Sequence, residues 1–243
     1  MIVLIITAVR IKSIDSHRIS GRILAENIAG PGMLRLVEQS MQSRARKTSV
    51  TEIAVKERKH PQAALTFDDG PDIRYTPLLL DGLKERNVRV SFFLLGEKVE
   101  QYPELVERMQ KEGHLVGNHT YHHVQLNKLN ETKAREEILK TNNLIYETTG
   151  VYPLYLRPPF GAWKKNLELC VEMLPVFWTI DTLDWKVKNT EKIVRTVKEQ
   201  IEDGAIILMH DEYDTSVEAA LQVVDELKNQ GYELVTVDQL ILP

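Results

Sequence analysis

One cysteine, Cys170, is all that the 243 residues contain, so no intrachain disulfide can form. It falls in the apolar pattern of Leu167, Leu169 and Val171 and reads as a small core residue. A single cysteine suits the cytosol, and equally an exported protein from an organism that uses few disulfides. Long apolar runs are missing too. The opening MIVLIITAV ends at Arg10 and Lys12, too short to span a bilayer. It lacks the basic leader and small-residue cleavage site of a complete signal peptide, and reads either as the remnant of a signal anchor or as a buried strand. No internal repeat or low-complexity tract is present. Positive charge is not in excess either. With 31 Lys/Arg against 35 Asp/Glu the net charge is -4, which excludes wholesale nucleic-acid binding.

The charge is unevenly spread. Residues 1–62 hold 11 Lys/Arg and 5 Asp/Glu, whereas residues 63–243 hold 20 and 30. A basic arm of this kind docks on its own acidic body or faces an anionic surface such as a membrane. At 43% hydrophobic and 27% charged residues, the chain is long enough for one large domain, or one domain with an extension.

Beyond residue 62 the chain alternates between two kinds of segment. Apolar, β-prone runs cover 63–67, 89–95, 114–118, 154–157, 175–180, 205–210 and 233–237. Helical patterns lie between them at 76–86, 97–111, 131–148 (capped by Asn130), 164–173, 190–202 and 216–230, and Gly113, Gly150, Gly204 and Gly231 supply stops. Alternation of this kind builds a parallel sheet. A doubly wound open sheet satisfies it, but every polar motif falls at or just beyond the C-terminal end of a strand, where barrel enzymes assemble their sites. The expectation is therefore an α/β fold, a distorted (β/α)7 barrel, over residues 63–243. Residues 1–62 form an N-terminal extension, with an amphipathic helix at 33–46 started by Pro31 and a polar linker at 47–60.

Five motifs carry chemistry. The first is Asp68-Asp69-Gly70-Pro71, two adjacent carboxylates at a strand tip. Like charges so close call for a cation; a capped turn is the plainer reading. A phosphatase of the haloacid-dehalogenase type wants Asp-x-Asp instead. The second is NHTYHH, residues 118–123. On a helical turn His119 and His123 face one side, which is metal-ligand spacing, while His122 points elsewhere. With Asp69 they make a two-histidine, one-carboxylate site with open positions. The third is RPPFG, residues 157–161, where Arg157 can hold Asp68 ionised or sit on the surface. The fourth, WTIDTLDW at 178–185, sets Trp178 and Trp185 beside Asp181 and Asp184, as sugar sites and ordinary cores both do. The fifth, IILMHD at 206–211, ends its apolar strand in His210, a core-edge group or a general acid.

In this order and spacing the five segments resemble the polysaccharide deacetylase family, also called the NodB-homology domain or carbohydrate esterase family 4. The resemblance covers residues 63–243. It implies that Asp69, His119 and His123 bind one divalent metal, most often zinc, with cobalt, nickel, manganese or iron also accepted by such ligands. It matches Asp68 to the catalytic base and Arg157 to the residue that orients it. The Phe160 N–H matches an oxyanion donor where the family often has tyrosine. Asp184 and Trp185 match the pair that buttresses the acid and walls the groove, Leu208 an acetyl-pocket residue, and His210 the general acid. The implied partner is a polysaccharide of the peptidoglycan or chitin type, handled by a monomer at the cell surface or outside it. An O-acetyl esterase on the same site and a non-catalytic glycan-binding protein are the alternatives.

Overall fold

The computed structural model describes residues 59–163 and 173–241. The expectations for the apolar start, the helix at 33–46, most of the linker at 47–60, and the helix at 164–173 with Cys170 lie outside the described residues. Among the described residues no helix is long and apolar enough to cross a membrane.

Among the described residues eight strands form one parallel sheet: β1 (Gln62–Asp68), β2 (Ser91–Leu94), β3 (Leu115–Asn118), β4 (Tyr155–Leu156), β5 (Leu174–Pro175), β6 (Ile180–Asp181), β7 (Ala205–His210) and β8 (Glu233–Leu234). Their order is β5-β4-β3-β2-β1-β7-β6, and β8 pairs the start of β1. Laid flat, that path would set its edge strands roughly 29 Å apart. Yet Pro175 and Ile180 lie on opposite edges, and the chain between them reaches at most roughly 18 Å. The sheet must therefore curl, and the barrel is left open between β5 and β6. The single apolar run expected at 175–180 is in fact this crossing. Val176 N–H bonds to the Leu156 carbonyl beside β4 at 2.8 Å, and Thr179 N–H bonds to Ile206 of β7 at 2.9 Å.

The helices are α1 (Thr76–Glu85), α2 (Gly96–Gln101), α3 (Pro103–Lys111), α4 (Glu131–Thr149), α5 (Asp184–Val187), α6 (Thr190–Gln200), α7 (Asp214–Asn229) and α8 (Val237–Ile241). The helix expected at 97–111 is two helices. Pro103 drives Tyr102 out of helical geometry, to φ -133° and ψ 56°, and opens α3 instead. Asn130 caps α4 by accepting the Lys133 N–H at 2.9 Å, and Gly150 ends it in the left-handed region at φ 72°.

Strand alternation separates core from site. On β1 and β7, Ala63, Leu65, Phe67, Ala205, Ile207 and Met209 pack in the main core beneath α1, α3, α6 and α7. The residues between them face the barrel interior. Ala64, with Phe93, Tyr155, Val176 and Val237, fills its lower half. Further along the same face come Thr66 and Asp68 on β1 and Leu208 and His210 on β7, and Asp68 lies in register with His210.

Candidate active site

Adjacent residues of a strand point to opposite faces, so two carboxylates in sequence would not normally share a cleft. Here the chain leaves the strand between them. Asp68 closes β1 and Asp69 adopts φ 70°, which re-aims its side chain. Both line one cleft of about 510 Å³ with His119, His123, Leu208 and His210.

His119 and His123 do not lie on the helical turn expected from their spacing. They follow β3 on a bent loop in which Thr120 (φ 67°) and His123 (φ 54°) are left-handed. Fully buried Asn118 ties this loop to α4: its amide donates to the Ile138 carbonyl at 2.9 Å and to Asn142 Oδ1 at 2.6 Å, and its Oδ1 accepts the Thr120 N–H. Glu137 on α4 accepts the N–H groups of Tyr121 and His122 and pairs the exposed His122 ring. The bend brings the His119 and His123 rings to 5.1 Å between centroids. Their Nε2 atoms lie 3.4 and 3.5 Å from Asp69 Oδ1.

The three donors fit a divalent cation. Their ligand atoms all lie within 4.8 Å of one another. Asp69 Oδ1 is buried with no hydrogen-bond partner among the described residues, a costly state for a carboxylate that no charge compensates. His119 Nδ1 lies 2.6 Å from the Arg157 carbonyl, so Nδ1 carries the proton and the Nε2 lone pair faces Asp69. Burial pushes the His119 pKa down to about 3, which keeps the ring neutral, the form that binds metals. The geometry is that of two histidines and one carboxylate.

Arg157 crosses the barrel interior fully buried. Its Nη1 donates to Asp68 Oδ1 at 2.8 Å and to Thr66 Oγ1 at 2.6 Å. The expected pairing with Asp68 is present, but its electrostatic outcome differs. Burial raises the Asp68 pKa by more than the Arg157 charge lowers it, so the net direction is upward. Thr66 could not be picked out from sequence: its hydroxyl accepts from Arg157 and donates to the Ile207 carbonyl at 2.7 Å, a bond across 141 residues.

His210 and Asp184 form a second pair. Asp184, buried at the start of α5, accepts from His210 Nδ1 through Oδ1 and from the His210 N–H through Oδ2, both at 2.8 Å. This leaves Nε2 facing the cleft, 3.9 Å from Asp69 Oδ2. Burial alone would lower the His210 pKa, but the Asp184 hydrogen bond and charge, helped by Asp68 and Asp69, outweigh it and lift the ring to about 9. Asp184 is correspondingly held low, because its bonds from His210 overcome its own burial.

The rest of the cleft is apolar and aromatic. Leu208 is 5% exposed on its floor, while Phe160 (61% exposed) and Trp185 (48%) stand at its rim. Phe160 sits at φ 60° with its ring 4.5 Å from that of His123. Trp178, Asp181, Glu212 and Tyr213 complete the lining, and Lys98 pairs Glu212. All ten residues singled out for the site are thus gathered at one end of the barrel.

A profile for polysaccharide deacetylases matches residues 55–177. The chain belongs to the polysaccharide deacetylase family. It is 42% identical over 76% of its length to a peptidoglycan-N-acetylglucosamine deacetylase of Listeria monocytogenes, of which the match covers 40%. It is 43% identical over 73% of its length to the peptidoglycan-N-acetylmuramic acid deacetylase PdaC of Bacillus subtilis, covering 38% of that protein. The chain thus spans about 40% of the length of these relatives. The solved structure of PdaC aligns over 75% of this chain and 91% of its own, with a TM-score of 0.73 and 42% identity. Such deacetylases are metal-dependent, which agrees with the Asp69, His119 and His123 grouping.

One expectation follows for the metal-free protein. His210, observed by NMR, is expected to titrate near pH 9. Its folded pKa exceeds the unfolded 6.5, so the pair stabilises the fold fully below pH 6.5 and loses that contribution as pH rises through about 9. In Asp184→Asn the midpoint is expected to fall toward or below 6.5, since burial then acts with less opposition. An unchanged midpoint would remove Asp184 as the source of the shift.

Proposed function

We propose that this cleft hydrolyses the acetamide of N-acetylated hexosamines in peptidoglycan or a chitin-like glycan, releasing acetate and leaving a free amine. The observation that carries the reading is the buried Asp69 oxygen, without a hydrogen-bond partner among the described residues, facing two imidazoles with a spare carboxylate and a protonated imidazole beside it. Both cited relatives are named for peptidoglycan deacetylation, one for each of its two sugars. Such a substrate places the work at the cell wall.

Asp69, His119 and His123 are the residues that would hold a divalent ion, zinc by preference. The ion, when bound, supplies a lowered pKa for water and a polarised acyl carbonyl. Asp68 accepts the proton of the attacking water. One of its oxygens is held by Arg157, so the other is the basic one. The Phe160 N–H donates to the oxyanion that forms as the carbonyl becomes tetrahedral. His210, charged and steadied by Asp184, gives its proton to the nitrogen as the C–N bond breaks. Without that proton the amine would be a very poor leaving group. Leu208 packs against the acetyl methyl, and the exposed face of Trp185 meets a pyranose ring.

Two outcomes are expected. Asp68→Asn keeps its shape, so elemental analysis should find the metal retained while acetate release from N-acetylglucosamine oligomers and peptidoglycan falls about 10²- to 10⁴-fold. Full activity in that variant would remove Asp68 from its role. His210→Ala should cost far more on N-acetyl glycans than on acetylxylan, because an alkoxide needs less help to leave. Equal losses on both would count against the general acid. A wild-type chain that releases acetate only from acetylxylan would replace the amidase reading with an esterase.

A further inference from the structure

Asp211 lies fully buried next to His210 and takes no part in the chemistry above. Its Oδ2 accepts a hydrogen bond from the hydroxyl of Thr76, which is itself fully buried. That hydroxyl has one proton to give. Its lone pair accepts the Asp72 N–H at 2.7 Å, and Asp72 Oδ1 accepts the N–H groups of Arg74 and Tyr75 at 2.8 and 2.9 Å. The return from Asp69 to α1 therefore hangs on a carboxylate just past the end of β7, 135 residues away.

The other oxygen, Oδ1, is buried with no hydrogen-bond partner among the described residues. It is pressed against Gly70: a Cβ there would stand 2.5 Å from Oδ1 and 2.9 Å from Oδ2. A carboxylate with an idle oxygen is a costly way to hold one threonine hydroxyl. Set against the Gly70 backbone, that oxygen gains a use, as a stop that fixes where the turn after Asp69 can lie. Asp69 needs one. Aspartate enters the left-handed region more readily than most residues, but φ 70° is held there only where the surroundings fix it.

We propose that Asp211 is a positioning residue, clamping the Asp69–Gly70 turn through Thr76 and Gly70 and so aiming the Asp69 carboxylate at the His119 and His123 imidazoles. This rests on the reading of Asp69 as a metal ligand. Groups hydrogen-bonded directly to metal ligands are worth about 10- to 100-fold in metal affinity, and Asp211 acts one step further out, through the backbone turn that carries Asp69.

The test is a zinc titration of the metal-free full chain against a competing chelator, with folding checked by circular dichroism. Thr76→Val and Asp211→Ala are each expected to weaken zinc binding about 10- to 100-fold, with turnover recovering at saturating zinc. Thr76→Ser, which keeps the hydroxyl, and Asp211→Asn, which keeps an acceptor of the same shape, should bind zinc nearly as the wild type does. Gly70→Ala should weaken binding in the wild-type background and lose little more in Asp211→Ala, where the oxygen it would strike is gone. A folded Thr76→Val with wild-type zinc affinity overturns the clamp, as does equal weakening in Thr76→Ser and Thr76→Val. A wild-type chain that binds no zinc overturns the ligand reading itself.

Discussion

A guanidinium sealed inside a barrel is tolerable only if its surroundings answer its charge and its donors. Arg157 meets both demands. Asp68 and Thr66 take Nη1, and longer contacts reach the Val176 carbonyl at 3.4 Å and the Phe177 carbonyl at 3.5 Å. Its charge lies 4.2 Å over the Phe93 ring. Val176 and Phe177 belong to the stretch that crosses the open edge of the sheet between β5 and β6. The same side chain thus bridges the seam of the barrel and orders the Asp68 carboxylate. Removing one partner of such a pair costs about 3–5 kcal/mol, because the other charge stays buried. Fold and site are coupled through this residue, which also lends its carbonyl to His119.

A common arrangement runs through the site. Three of the cleft groups, Asp68, His119 and His210, have one atom held by a fixed partner and another left free. Asp68 gives Oδ1 to Arg157 and keeps Oδ2; His119 commits Nδ1 to a carbonyl and keeps Nε2; His210 commits Nδ1 to Asp184 and keeps Nε2. Burial and the partner together decide the chemistry of the free atom. Burial leaves His119 neutral against the upward pull of its carbonyl bond, and that bond fixes the tautomer whose free lone pair suits a cation. A carboxylate partner leaves His210 charged, with a proton to give. Two histidines in one cleft are thereby driven in opposite directions, one down to about 3 and the other up to about 9.

Much of this was legible in the residues alone. Apolar runs located the strands because parallel strands are buried on both faces, and polar residues at their C-terminal ends located the cleft. The rest depended on contacts that no local pattern encodes. Spacing put His119 and His123 on one face of a helix, whereas left-handed Thr120 and His123 bring them together on a loop. The run at 175–180 looked like one strand because its β-prone residues are contiguous, but it serves opposite edges of the sheet. Thr66, Asn118, Glu137 and Asp211 are ordinary polar residues in sequence, and all but one of the partners described above lie 15 to 141 residues away. The direction of the Asp68 shift was also beyond sequence, since it turns on how far burial exceeds the pull of a known partner.

The proposed chemistry requires Asp69, His119 and His123 to share one cation at the mouth of the barrel. The most direct test is X-ray absorption at the zinc edge on the full chain reloaded with zinc. Two imidazole nitrogens at about 2.0–2.1 Å and a carboxylate oxygen at about 2.0–2.2 Å are expected, with one nitrogen lost in His119→Ala. A spectrum without imidazole scattering, or one that His119→Ala leaves unchanged, would contradict it.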